Sequence, residues 1–290
     1  MFRVRSVALQ RSGGHLIGWM EGVEMADRKP QWFAQNPPAY LYRYVPLRRQ
    51  DDCTRAEALV TKGFLGLSSP ERFNDPFDCL PIAAVPETRI GRERLLRTAL
   101  KRVSGNGPID VAEARIQDFI RSPEIMKNEL EASFRSTVTK AGVACFSEQA
   151  DTVLMWSHYA DNHRGAVFRF RMDRWPIAEL PLILKVDYSP ERPVIRLRHK
   201  IGDNEDLIIG LTRKADFWRY ENEWRLVVKG GADSTVCIPS TCLDGVILGA
   251  AMPPEQRALV MSWVEKRGVA FEVLRAEICP REFRLCVTGS

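Results

Sequence analysis

The order of strand-like and helical segments is the feature of this sequence that most restricts its fold. Short segments of strand character, bounded by turn residues, lie on both sides of one long helical block at about residues 91–140. These segments read AYLYRYVPL, FLGLSS, GVACFSE, GAVFRFRM, LILKVDYS, NEWRLVVKG, GVILGA and AFEVLRAEI. Many short strands around one inserted helical block predict a single α+β domain over residues 38–290, not two domains in series.

Turn and cap signals set the expected limits of the remaining elements. A helix is predicted from about Thr54 to a stop at Gly63, and another over roughly 203–217. The segment PPEQRALVMSWVEKRG opens with prolines and closes at Gly268, as helices commonly do. Residues 1–37 are rich in Gly and Arg without periodicity, so we expect a flexible extension, with Met25 as an alternative start.

Composition excludes several classes of protein. The chain has 290 residues, of which 45% are hydrophobic and 27% charged, a soluble globular profile without a run of about 20 apolar residues that could span a membrane. The N-terminus is a poor secretory signal, and the seven cysteines form no CxxC pair. An odd number of unclustered cysteines argues against a disulfide framework or zinc ribbon and predicts a cytoplasmic protein. The charge of +5 is compatible with phosphate-bearing ligands or RNA.

A pair of glutamates in RYENEWRL is the first candidate for chemistry. If this segment is a strand, Glu221 and Glu223 point to one face, while Trp224 and Leu226 fill the other. Two like charges shielded from water raise at least one carboxyl pKa, and a carboxylate beside a sugar carbon stabilises an oxocarbenium ion. The alternative to this chemical role is that Glu221 merely faces the solvent.

In that alternative, Glu223 forms a surface ion pair with Arg225 or Arg219, an arrangement that is common and weak.

The segment LMWSHYADNHRG is the second candidate. Trp156, His158 and Tyr159 suit a pocket that stacks an aromatic ring and hydrogen-bonds a ribose. His158 and His163 are five positions apart and do not share the i, i+4 helix face of a zinc motif, so we expect no metal site. The alternative is a Trp–His pair packed in the core.

Three shorter motifs complete the candidate site. Arg43, beside Tyr44 on the first strand, can clamp a phosphate or lie on an exposed face. Asn74 and Asp75 before a proline predict a tight turn that forms either a pocket wall or a purely structural loop. Ser147 closes a buried strand, where it touches a ligand or caps the next helix.

These motifs together resemble a bacterial family of unknown function, the one numbered 2971. The resemblance runs from about residue 40 to 249 through YLYRY, GLSSPERFNDPFD, ACFSE, LMWSHYADNHRG and FWRYENEWRL. The family label carries no activity.

The order of the motifs also resembles, more distantly, the arginine–serine–glutamate class of ADP-ribosyltransferases. That resemblance implies a split, mixed or antiparallel β-sheet that holds NAD in a cleft. Arg43 would bind the NAD phosphates, Ser147 would support the nicotinamide ribose, and Glu223 would stabilise the oxocarbenium ion, with Glu221 positioning or activating the acceptor. The middle motif, CFSE, departs from the Ser-Thr-Ser run of the class, and His158 has no plain counterpart.

The leading hypothesis is therefore an NAD-dependent ADP-ribosyltransferase-like enzyme, a toxin or anti-phage effector that modifies a protein or nucleic acid. One alternative is a non-catalytic module that binds a nucleotide or RNA through aromatics and arginines. Another is a nuclease, with His158, Glu221 and Glu223 as acid, base or metal ligands.

Overall fold

A computed structural model describes residues 37–103, 116–175, 182–196 and 205–289. The predicted N-terminal extension at residues 1–37 lies outside these ranges except for its last residue. The strands are β1 (Tyr40–Val45), β2 (Phe64–Gly66), β3 (Ile82–Ala84), β4 (Gly142–Ser147), β5 (Ala166–Arg171), β6 (Leu182–Lys185), β7 (Asp187–Ser189), β8 (Val194–Arg196), β9 (Arg213–Ala215), β10 (Glu223–Val228), β11 (Thr235–Cys237), β12 (Leu243–Leu248), β13 (Glu272–Ile278) and β14 (Leu285–Gly289). The labelled helices are α1 (Gln50–Lys62), α2 (Arg89–Val103), α3 (Pro123–Val138), α4 (Val153–Tyr159), α5 (Glu205–Thr212) and α6 (Pro254–Arg267).

Eight strands form one mixed sheet in the order β14-β13-β12-β5-β1-β4-β10-β6. Only the neighbours β12 and β13 run parallel, and every other pair in this sheet is antiparallel. The α+β class and the mixed, mostly antiparallel sheet are therefore confirmed. The inserted helical block is present as α2 and α3.

The sheet is nearly open in its middle. β1 pairs with β5 along its whole length, and β4 does the same with β10. Between β1 and β4, however, the ladder consists of a single residue pair, Tyr42 opposite Ser147. Because paired residues point to the same face, Tyr42, Ser147 and its other partner Glu223 share one face of the sheet.

The two faces of the sheet carry different layers. On one face, α1 and α6 pack through Leu59 and Trp263 on a core that includes Phe168 and Trp224. The opposite face holds α4, whose buried Trp156 packs with Tyr44 and Val167, while α3 and α5 cover the β4 and β10 side. The candidate site lies on this second face.

Several element limits differ from the sequence prediction. α1 begins at Gln50, four residues before Thr54, with Asp51 and Asp52 in its first turn. The helix expected over 203–217 ends at Thr212, and its last residues form β9 and a 3-10 turn; residues 203–204 lie outside the described ranges. The WSHY segment, for which no element was predicted, lies in helix α4. β9 pairs with β7, so a tertiary contact ends the predicted helix early. The start of α1 is instead set locally, by the capping contacts of Arg49 and Asp52.

The stop of α1 at Gly63 gives a first testable expectation. Gly63 has φ +71°, and a Cβ placed there would lie 2.6 Å from the Ile238 carbonyl oxygen. Gly268, which ends α6, has φ +69°, but a Cβ placed there would have no atom within 4 Å. The left-handed conformation costs alanine about 1–2 kcal/mol at both sites, and the collision adds about 1–3 kcal/mol at Gly63. Urea unfolding should show a larger loss for Gly63→Ala than for Gly268→Ala; equal losses would contradict this.

Candidate functional site

Arg225, in the middle of β10, is the centre of a buried ion network. Its side chain is 0% exposed. Two guanidinium nitrogens donate to the two carboxylate oxygens of Asp78 at 2.6 and 2.8 Å, and two donate to Glu223 at 2.9 and 3.0 Å. The fifth N–H donates to the Leu211 carbonyl at 2.7 Å. All five donors are satisfied, as a buried arginine requires.

Lys214, on β9, extends the network from Glu223 to Glu221. Its ammonium donates to Glu223 Oε2 at 3.0 Å and forms a close ion pair with Glu221. It lies 3.7 Å from Asp78 Oδ2 and 5.1 Å from the centre of the Trp218 ring. The network therefore joins three carboxylates to two cations, all with side chains at most 5% exposed.

The two glutamates have opposite pKa shifts. Burial alone raises the pKa of Glu223, but Arg225 and Lys214 hold it well below its usual range. Burial raises the pKa of Glu221, and Glu223 adds to the rise while Lys214 opposes it. With three acids and two cations, the network carries one surplus negative charge when all are ionised. Of the two glutamates, Glu221 takes up a proton more readily.

Tyr159, at the end of α4, connects Glu221 to the surface. Its hydroxyl donates to Glu221 Oε1 at 2.7 Å, and the exposed Asn74 amide donates to that hydroxyl at 3.2 Å. The exposed His158 ring lies 6.1 Å from both the Tyr159 and the Trp218 ring. A hydrogen-bonded path thus runs from the buried Glu221 carboxylate through Tyr159 to the exposed Asn74 amide.

The backbone geometry of the glutamate pair differs from the prediction. Glu221 is not on a strand: it ends a 3-10 turn at Asp216–Glu221, and Asn222 takes the left-handed conformation with φ 42°. β10 begins only at Glu223. The carboxylates converge because both bind Lys214, not because of strand alternation. The predicted burial of Trp224 and Leu226 on the other face is confirmed.

The alternative pairing of Glu223 with Arg225 describes the structure, although the pair is buried and not on the surface. Arg219 instead donates to the Tyr188 carbonyl at 3.3 Å.

Ser147 supports this arrangement from β4. Its fully buried hydroxyl donates to the Glu221 carbonyl at 2.6 Å and accepts from the Gln149 amide at 3.1 Å. It does not cap α4, whose N-cap is Thr152. Ser147 therefore positions the turn that carries Glu221, and its hydroxyl contacts protein groups.

Asn74 and Asp75 form the predicted tight turn. Asp75 Oδ1 accepts the Phe77 amide at 2.9 Å, as in an Asx turn, and its carbonyl accepts the Asp78 amide at 3.2 Å. Asp75 Oδ2 is buried and has no hydrogen-bond partner within the described ranges. The turn places the Asp78 carboxylate within hydrogen-bond distance of the Arg225 guanidinium.

Two predicted ligand-binding aromatics belong to the core. Trp156 is fully buried, donates to the Ala150 carbonyl at 2.8 Å and stacks on His163 with ring centres 6.3 Å apart. Tyr44 packs edge-on against Trp156 and donates to the Gln149 carbonyl at 2.9 Å. The protein itself covers both rings, and the packed Trp–His alternative describes Trp156.

Arg43 points away from the network. It lies opposite Phe168 in the β1–β5 ladder, on the face of Trp224, and donates to the Gly66 carbonyl at 3.2 Å. Its Nη1 is buried without a hydrogen-bond partner among the described residues. Burial lowers the pKa of the Arg43 guanidinium, an effect that the Cys145 thiol opposes and Arg55 reinforces. A half-buried cation without a carboxylate partner in the described chain suits an anionic ligand.

The sequence prediction missed Lys214 and Asp78. Asp78 could have been noticed as the last residue of FNDPFD. Lys214 could have been noticed as a lysine in the segment directly before RYENEWRL. Within the described ranges, no group of three or more His, Cys, Asp or Glu side chains is arranged to hold a metal ion.

The fold and site define an α+β protein with a buried acid–base network beside an opening in its sheet. A family model described as "Protein of unknown function (DUF2971)" matches residues 155–226, from α4 to β10, which supports the resemblance seen in the motifs. Comparison with curated proteins and with solved structures gives no match. In the described part of the chain, no helix is both long and apolar enough to cross a membrane.

Proposed function

We propose that this chain is an ADP-ribosyltransferase-like enzyme that uses NAD as a substrate and modifies a protein or nucleic acid. The observation that carries the proposal is the pair of carboxylates with opposite pKa shifts, placed where the sheet opens between β1 and β4. Neighbouring acids whose environments separate their pKa values are the usual arrangement for acid–base chemistry. A toxin or anti-phage role remains a prediction.

The residue roles differ from those expected from the motif order. Glu223 is 4% exposed and neutralised by Arg225 and Lys214, so it serves as a fixed anion that holds Lys214 in place. Glu221 reaches the surface through Tyr159 and is the group that exchanges protons. In the transfer, the bond from nicotinamide to ribose breaks and the acceptor attacks the ribose carbon. The acceptor proton passes to Glu221 through Tyr159, and nicotinamide leaves.

Arg43 is the proposed contact for the NAD phosphates. It lies on β1 beside the opening in the sheet, on the face opposite the network, and its Nη1 is buried without a hydrogen-bond partner in the described ranges. Guanidinium groups bind phosphate oxygens through charge-assisted hydrogen bonds. The orphan N–H and the lowered pKa both indicate a cation that the fold leaves without a counter-ion.

The test is nicotinamide release from NAD by the full chain, measured by chromatography. We expect Arg43→Met to raise the KM for NAD about 10–100-fold, since a hydrogen bond to a charged group contributes about 1.5–3 kcal/mol. Its free energy of unfolding should be unchanged or higher, because an unpaired buried charge is removed. Arg48→Met, at an exposed site, is the control. Absence of both nicotinamide release and thermal stabilisation by NAD would exclude the proposal.

One observation favours a nucleotide- or RNA-binding role as the second candidate. Phe217 is 65% exposed and contacts Trp218, which in turn contacts Tyr220 and His158, with ring centres 5.8–6.1 Å apart. Exposed aromatic rings stack on bases, with about 1–3 kcal/mol for each base. Binding of short RNA that weakens steeply with salt, without turnover of NAD, would support this role instead.

A further inference from the structure

Cys279 and Cys286 lie on either side of the turn between β13 and β14. The ladder pairs Ile278 with Leu285 and places Cys286 opposite Glu277. Cys279 is one residue past the last pair, and its amide donates to the Arg284 carbonyl at 3.0 Å. Since strand side chains alternate, positions 277, 279 and 286 face the same side. The two free thiols are therefore neighbours on one side of the β13–β14 hairpin.

The surroundings of the two thiols differ. Backbone groups of Arg281 and Glu282 hydrogen-bond the Cys279 sulfur, and with Arg284 nearby they lower the pKa of that thiol. Burial raises the pKa of Cys286, against the effect of Arg284, and Cys279 raises it further. Both residues are partly exposed. One thiol therefore ionises first, and its neighbour keeps its proton.

We propose that Cys279 and Cys286 form a peroxide-reactive thiol pair, with Cys279 as the attacking sulfur and Cys286 as the resolving one. The Cys279 thiolate attacks one oxygen of hydrogen peroxide, the O–O bond breaks, and hydroxide leaves to be protonated to water. The resulting sulfenic acid is attacked by the Cys286 sulfur, which forms the disulfide and releases a second water. Two thiols are oxidised and one peroxide is reduced to two waters.

The position of the pair gives the oxidation a structural effect. β14 is the last strand at one edge of the eight-stranded sheet. Leu285, next to Cys286, packs in the same cluster as Met155 and Trp156 of α4. A disulfide across the turn ties this edge strand to β13, whereas the reduced edge is held by its backbone ladder and by that cluster. Disulfide formation requires Cβ atoms about 3.5–4.5 Å apart. Cys279 lies beyond the last ladder pair, where the backbone of the turn can adjust.

The test exposes the reduced, folded full chain to hydrogen peroxide, blocks free thiols and digests it with trypsin. Cleavage after Arg281 and Arg284 separates the two cysteines, so only a disulfide joins peptide 276–281 to peptide 285–290. We expect this joined pair in the wild type and its loss in Cys279→Ser. In Cys286→Ser, dimedone should trap a sulfenic acid at Cys279. Arg284→Gln should slow the trapping about three- to tenfold.

Cys237, the exposed thiol on β11, is the internal control for general reactivity. Dimedone labelling of Cys237 as fast as that of Cys279 would overturn the proposal, as would a joined peptide that forms only in denaturant. Faster trapping at Cys286 in Cys279→Ser than at Cys279 in Cys286→Ser would overturn the assigned order of attack.

Discussion

Replacing Arg225 by methionine is expected to lower the free energy of unfolding by about 3–5 kcal/mol, the usual cost of removing one partner from a buried ion pair. Methionine fills part of the volume but leaves Asp78 and Glu223 without the four hydrogen bonds that the guanidinium donates. Lys214 alone then faces three buried carboxylates. Urea unfolding followed by tryptophan fluorescence measures the loss.

The matched control is Arg72→Met. Arg72 also pairs with an aspartate, Asp233, at 2.8 Å, but both side chains are about half exposed, and such a pair contributes about 0–1 kcal/mol. A loss below about 1 kcal/mol for Arg225→Met, equal to that of the control, would show that the buried network contributes little to stability.

The same network sets a pH dependence. The folded-state pKa of Glu223 lies below its ordinary value of 4.5, so its stabilising contribution is present above that pH and is lost as the pH falls below it. In Arg225→Met the cation that lowers this pKa most is gone. We therefore expect the variant to lose less additional stability than the wild type between pH 4.5 and lower values. An equally steep loss would contradict the role given to Arg225.

Replacing Glu221 by glutamine is expected to reduce nicotinamide release by about 10²–10⁴-fold, the range for removing a general acid–base group. Glutamine keeps an oxygen that can accept from Tyr159, so the geometry survives while proton exchange is lost. Lys214 keeps Glu223 and Asp78 as partners. The remaining network then has two acids and two cations, and we expect the folded state to persist.

The activity of Glu221→Gln is measured as nicotinamide release across a pH series, beside Tyr159→Phe and Glu272→Gln. Tyr159→Phe should lose activity in the same direction, because the path from Glu221 to the surface is broken. Glu272→Gln, at a half-exposed carboxylate paired with Arg169, should retain it. The limb of the pH profile that reflects the raised pKa of Glu221 should disappear in Glu221→Gln.

Full activity of Glu221→Gln would exclude Glu221 as the proton-exchanging group. If instead Glu223→Gln remained folded and lost all activity, Glu223 would be the residue that acts on the ribose, as its place in the motif order implies.

Local residue patterns were sufficient to predict whether most elements are helices or strands. The segments GVACFSE and NEWRLVVKG are predicted as strands, and the structure confirms them as β4 and β10, which it pairs directly. The stops at Gly63 and Gly268 follow from a backbone conformation that glycine adopts without strain. Short-range signals of this kind depend on neighbouring residues only, and so they can be read along the chain.

The site could be recognised in part. The acids of RYENEWRL and Tyr159 were marked by residue type, and they do meet. The faces on which Arg43 and Tyr44 lie could not be derived, because a strand's register decides which side chains enter the core, and register is set by partners distant in sequence. The burial of Trp156 depends likewise on where helix α4 packs against the sheet.

Residue patterns along the chain were enough to predict the α+β class, the positions of most strands and the two acids that mark the site. The tertiary structure alone decided which acid is neutralised. Lys214 and Arg225 reach Glu223 from β9 and from its own strand, with Asp78 supplied by a turn about 150 residues earlier. A pKa depends on the charges within a few ångströms and on burial, and only the folded chain brings those charges together.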